Sequence, residues 1–220
     1  MDRIDVSLLQ GMFQSVADTI IDKEPYLTEI DTIIGDGDHG IGMKRGFTAV
    51  KKLLKENEYT SVSELCRAVS IELIRSMGGA SGVIFGTMFF GGISNLPDEK
   101  DVTVKQLAAY FYDGEQAIER RGKSKPGEKT MLDALWPAVV AMKAYAQEDD
   151  QDVITFFEKA WTASIEGAKA SKELMSKRGR SSNFGEQCIG LPDPGAMSTS
   201  FIFEAMYRKI IKLKGFEEIY

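Results

Sequence analysis

Cysteine is nearly absent from this chain of 220 residues: Cys66 and Cys188 lie far apart, and neither belongs to a CxxC pair. A disulfide framework and a structural zinc site are therefore not expected, and reduced thiols suit a cytoplasmic protein. An excess of basic charge is lacking as well. Lys and Arg number 27 against 33 Asp and Glu, a net charge of −6, which disfavours nonspecific nucleic-acid binding. A phosphorylated ligand stays compatible, because bound metal ions reverse the local charge. No apolar run reaches the ~18 residues of a membrane span; the longest, Val83 to Phe90, is interrupted by Gly86. The opening MDRIDVSLLQGMF carries acids and no long apolar segment, so no signal peptide is expected. Histidine occurs once, as His39.

What is present is a helical rhythm. Leu9, Met12, Phe13, Val16, Ala17, Ile20 and Ile21 repeat at three and four residues, one stripe of an amphipathic helix. Similar stripes run through Val62–Met77, Leu107–Ile118, Leu132–Met142, Val153–Ala160 and Ile202–Leu213. No run alternates convincingly with period two. Ser61 with Glu64 and Thr103 with Gln106 have capping-box spacing, and Pro194 after Asp193 reads as a helix start. The pattern predicts an all-α protein of about eight helices, one domain over residues 1–220, with no internal repeat and no dividing linker.

Four loops are rich in glycine and small polar residues: GDGDHGIG (35–42), GGASG (78–82), RGKSKPGEKT (121–130) and GRSSNFGEQCIGLPDPG (179–195). They fall after alternate helical stretches. In an up-and-down bundle alternate connections lie at one end, so four distant loops meet on one face.

The chemistry concentrates in the first loop. Asp31, Asp36 and Asp38 lie within eight residues, a set of hard oxygen donors suited to magnesium or calcium. An EF-hand started at Asp36 fails, because Ile41 stands where glycine is needed and Phe47 where glutamate is needed. A solvated acidic turn with helix caps is the plain alternative. His39 beside these acids is open to contacting phosphate, ligating a metal or packing. A helix starting near Ala80 or Ser81 would aim free N–H groups at the loop face, an anion site; close helix packing through small residues is the alternative. Gly122-Lys123-Ser124 resembles the tail of a Walker A loop, but Ala117 stands where its first glycine belongs and no strand precedes it. Arg180 is a candidate phosphate clamp near Asp193-Pro194-Gly195, or simply a surface charge.

Read together, the four loops resemble the dihydroxyacetone kinase L subunit. LTEIDTIIGDGDHGIGMKRGF is similar to its metal-binding block, GGASGVIFGTMF to its second, PGEKTMLDALWP to its third and GRSSNFGEQCIGLPDPGAMST to its fourth. The blocks occur in family order and cover essentially the whole chain. The resemblance implies an antiparallel up-and-down helical barrel. It implies two magnesium ions on Asp31, Asp36 and Asp38 that bind the diphosphate of ADP, with ATP as the related nucleotide. It carries nucleotide contacts over to His39, Gly40, Ile41 and Gly42, to Ala80 and Ser81, to Gly122 and Met131, and to Arg180 with Asp193, Pro194 and Gly195. Four positions depart from the family pattern: Gly42 replaces an asparagine, Val83 a proline, and Leu191-Pro192 a His-Gln pair.

The resemblance also implies partners. A K subunit carries the keto sugar, and a phosphohistidine M subunit of a phosphotransferase system supplies the phosphoryl group. A transcription regulator is a further partner type, and a homodimer is compatible with everything above. Three readings stay beside this one: an ATP-exchanging kinase subunit for another small sugar or keto-polyol, a fatty-acid kinase ATP-binding domain, and an ADP-bound regulatory module.

Overall fold

In a computed structural model, described for residues 1–213 and 215, the chain folds into nine α-helices with little sheet. They are α1 (Val6–Asp22), α2 (Glu24–Ile34), α3 (His39–Glu56), α4 (Val62–Met77), α5 (Gly79–Phe90), α6 (Val104–Gly122), α7 (Leu132–Tyr145), α8 (Val153–Ala170) and α9 (Pro194–Leu213). Each of the six sequence stripes lies on one of these helices. Caps start most of them. Asp5 Oδ1 accepts from Leu8 N at 2.7 Å, and Ser61 Oγ from Glu64 N at 3.2 Å. Thr103 and Gln106 close a full capping box, and Asp152 Oδ2 accepts from Ile154 N at 3.0 Å and Thr155 N at 3.1 Å. The Glu64 carboxylate also takes Thr60 N and Oγ1, each at 2.9 Å.

Eight helices close a ring in which α1, α3, α4, α5, α6, α7, α8 and α9 pack in turn and α9 returns to α1. Links between sequence neighbours range from Lys23 alone, between α1 and α2, to residues 171–193, between α8 and α9. The ninth helix, α2, packs on α3 and contacts α9 and the segment Arg180–Cys188. The expected barrel of about eight helices is therefore present, with α2 in addition.

Inside the ring the stripes merge into one apolar cluster reaching from Ile4 to Ile210. Phe111 on α6 lies near its centre, with ring centroids 5.5 Å from Phe203 on α9 and 6.4 Å from Phe157 on α8. Close backbone approach also matters. At Gly167 a Cβ would strike the Asp133 carbonyl, so α8 can lie on α7 beside Pro137.

One feature departs from the sequence reading. Arg3–Asp5 (β1) and Asp101–Thr103 (β2) form an antiparallel ribbon, with Ile4 opposite Val102. Three residues are too few to show period two, and only the buried Ile4 and Val102 mark it. No helix among the described residues is long and apolar enough to cross a membrane.

Truncating Phe111 removes a fully buried ring that joins three helices. Phe111→Ala should lower the unfolding free energy by about 3–5 kcal/mol. Urea unfolding followed by circular dichroism measures it, and an unchanged midpoint would place Phe111 outside the core.

Candidate functional site

Four residues, 35–38, turn the chain from the end of α2 to the start of α3. Two glycines make that turn. A Cβ at Gly35 would strike the Asp31 side chain, and Gly37 has φ +74°, a conformation that glycine adopts freely. The turn folds Asp36 and Asp38 back over Asp31, in the last turn of α2. One oxygen from each of the three carboxylates lies within 4.8 Å of the others. Asp31 Oδ2 accepts from His39 N at 3.0 Å, at the start of α3. Asp38 occupies the N-cap position of α3 but makes no capping hydrogen bond, which leaves its carboxylate to the cluster.

The clustering has an electrostatic cost. Burial holds the Asp31 and Asp38 carboxyls above their ordinary range, and the neighbouring aspartates push them further. Arg180 offsets part of this, its Nε 2.5 Å from Asp36 Oδ2, but the Arg180 side chain is 70% exposed and water weakens the pair. Three oxygen donors carrying more negative charge than the nearby cations balance fit a hard divalent cation.

The other loops arrive at the same end of the ring. Gly78 and Gly79, with φ +72° and +61°, link α4 to α5. Arg45 of α3 holds this link: Nε donates to Ser76 O at 3.0 Å and Nη2 to Met77 O. Helix α5 begins at Gly79, so Ala80 and Ser81 sit in its first turn, where the positive end of the helix favours an anion. His39 is buried between them and α9. Its Nε2 is 2.8 Å from Ser198 Oγ and its Nδ1 3.4 Å from Ser81 Oγ. Burial lowers its pKa to about 4, so at neutral pH it is an uncharged ring held by two hydroxyls.

Asp133 shapes the third loop, accepting from Gly127 N at 2.5 Å and Thr130 N at 2.7 Å. The fourth loop ends at Asp193, whose Oδ2 accepts from Ala196 N at 2.8 Å and so caps α9. Burial, reinforced by Asp133 and Asp31, raises the Asp193 carboxyl to about 7.

Together the loops enclose a cavity of about 550 Å³. Its apolar wall comes from Met77, Ile84, Phe85, Ile118 and Met131, and the three aspartates lie along its polar side. All the site residues named from the sequence line this cavity except Gly40. Gly40 instead faces α2, where a Cβ would strike Thr28 Oγ1 and Glu24 O; glycine there lets the helices touch. At Gly42 a Cβ would meet only Met77, at 3.8 Å, so the position has room for a side chain.

A family model described as the DAK2 domain matches residues 33–208, which span all four loops. The chain belongs to the DAK2 domain family. Among its relatives is the ADP-binding subunit of PEP-dependent dihydroxyacetone kinase 1 from Listeria innocua, 36% identical over 186 residues, covering 84% of this chain and 87% of that one. The corresponding Escherichia coli ADP-binding subunit is 34% identical over 184 residues, with the same coverage, 84% and 87%. In fold the chain is similar to the dihydroxyacetone kinase of C. freundii solved with AMP-PNP and Mg2+, with a TM-score of 0.73 at 22% identity. That match covers 94% of this chain and 35% of the other.

In this DAK2 domain, sequence reasoning missed Arg45, Lys129, Asp133 and Ser198 as parts of the site. All four stand inside the quoted blocks, but the first three contact backbone groups and Ser198 contacts His39, which spacing does not reveal.

The raised Asp193 carboxyl makes stability depend on pH. Its folded pKa is raised from 3.8 to about 7, so the stability it contributes is full below about pH 4 and is lost as pH rises through about 7. Asp193→Asn keeps a cap acceptor and removes the charge. In chelator, its melting temperature relative to wild type should therefore rise between about pH 5 and about pH 8. A difference that does not change with pH would show that Asp193 is already ionised throughout.

Proposed function

We propose that the chain is the nucleotide-holding subunit of a dihydroxyacetone-type kinase, with ADP and two magnesium ions on the loop face. It works between a phosphohistidine M subunit, the donor, and a K subunit that carries a keto sugar, the acceptor. The observation that carries the proposal is the meeting of Asp31, Asp36 and Asp38 within 4.8 Å at the edge of the four-loop cavity. The names of the bacterial relatives, ADP-binding subunits of PEP-dependent kinases, support the same reading.

Each part of the cavity has a task in this proposal. Asp31, Asp36 and Asp38 would hold the two magnesium ions. When bound, magnesium supplies charge neutralisation at the diphosphate, the main requirement of phosphoryl transfer. The first turn of α5, at Ala80 and Ser81, offers N–H donors to phosphate oxygens. Arg180, already beside Asp36, is placed to approach the same anion. The apolar wall of Ile84, Phe85, Ile118 and Met131 suits the face of a nucleobase. His39 stays neutral and positions α3 through Ser81 and Ser198. The buried, free thiols of Cys66 and Cys188 fit a cytoplasmic setting.

No ketone-binding histidine is left over, since His39 is the single histidine and is taken by Ser198 and Ser81. The isolated chain should therefore phosphorylate no sugar. With its K partner, phosphorylated M subunit should drive multiple turnovers and ATP should be a poor donor. Robust turnover with ATP alone would favour the ATP-exchanging kinase instead, and sugar phosphorylation by the chain alone would overturn the division of labour.

Asp36→Asn or Asp38→Asn should reduce transfer in the complete system by about a hundredfold or more while the helical signal persists. Near-normal turnover in either variant would remove these residues from the metal site.

A further inference from the structure

Lys129 is a lysine where a lysine is costly. It is 1% exposed, and its backbone is left-handed, with φ +58°. Buried lysines are rare unless they are paired, and left-handed backbone favours glycine. Its ammonium is held by two main-chain oxygens, Ser171 O and Leu191 O, each at 2.6 Å. These lie at opposite ends of the connection between α8 and α9, residues 171–193, which contains most of the fourth loop. The same Ser171 is fully buried, and its hydroxyl accepts from Asp193 N at 3.0 Å. Lys129 thus joins the third loop to both ends of the α8–α9 connection. Beyond it Gly195 packs on Met131, where a Cβ would come within 3.3 Å of Met131 Cβ. On the outer side Lys177 N donates to Glu128 O at 3.1 Å and Glu128 Oε2 accepts from Arg178 Nε at 2.8 Å, an ion pair that water weakens because the Arg178 side chain is 44% exposed.

We propose that Lys129 is a positioning residue: its buried ammonium clamps the Ser171 and Leu191 carbonyls and so sets Asp193-Pro194-Gly195 against Met131 across the ligand cavity. Bonds from an ammonium to two desolvated carbonyls are among the stronger neutral-acceptor contacts; their loss leaves Leu191 O short of a donor and Ser171 O with the Leu174 amide at 3.2 Å. The consequence for nucleotide rests on the function proposed above; the clamp itself does not.

Two full-length variants test it. Lys129→Met keeps the aliphatic stem and removes the ammonium. Lys129→Gly relieves the left-handed backbone, so an idle side chain would leave the loop as well held as before. Hydrogen exchange is read at the Asp193 amide, with the Val16 and Val69 amides as references in the core of α1 and α4. Titration with MgADP reads the ligand face. In both variants the Asp193 amide should exchange at least tenfold faster, the reference amides should stay as in wild type, and MgADP should bind at least tenfold more weakly. Unchanged exchange at Asp193 would overturn the clamp. Equal acceleration at all three amides would reduce Lys129 to a general contributor to stability. Faster exchange at Asp193 with unchanged MgADP affinity would overturn its role at the ligand face. If wild type itself binds no MgADP, the proposed function fails, and the exchange comparison still decides the clamp.

Discussion

Three carboxylates held within 4.8 Å of one another set the main constraint on this molecule. Ionised together they repel, and burial of Asp31 removes part of the water that would screen them. The local structure makes the arrangement affordable. Gly35 and Gly37 allow the turn, and the N-terminus of α3 offers His39 N to Asp31. Arg180 reaches across from another loop to Asp36. Even so, Asp31 and Asp38 stay harder to ionise than free aspartates, which is the state a divalent cation would relieve.

The ring of helices supplies the rigid frame for that constraint. Its core is apolar and continuous, and it keeps the alternate connections at one end. Polar side chains then fix the loops one at a time. Arg45 holds the α4–α5 link, Asp133 the third loop and Asp193 the start of α9. Most of these anchors are buried and bond to main-chain groups, so loop geometry is set from within the barrel. The apolar wall and the acidic edge of the cavity therefore belong to different elements held in register.

Six helices, α1, α4, α6, α7, α8 and α9, were legible because each buries one face, and a buried face writes a three-and-four repeat into the chain. The convergence of the loops was legible too, since it follows from their alternation with helices. Other features left little trace. The ribbon is three residues per strand, below the length at which alternation can be read. Helix α2 is short, carries Pro25 near its start and buries only Leu27, Ile30 and Ile34, so its stripe is thin. Gly40 stands among cavity residues in sequence, yet one step around α3 turns it onto α2. Lys129 reads as an ordinary loop charge, because nothing in its neighbours announces that two carbonyls enclose it.

The most direct measurement is native mass spectrometry of the purified chain, combined with metal analysis. The expected result is a chain carrying one ADP and two magnesium ions, since three carboxylates and a diphosphate together satisfy two hard cations. A nucleotide-free, metal-free chain that also fails to bind added MgADP would contradict the reading of the four loops as one site.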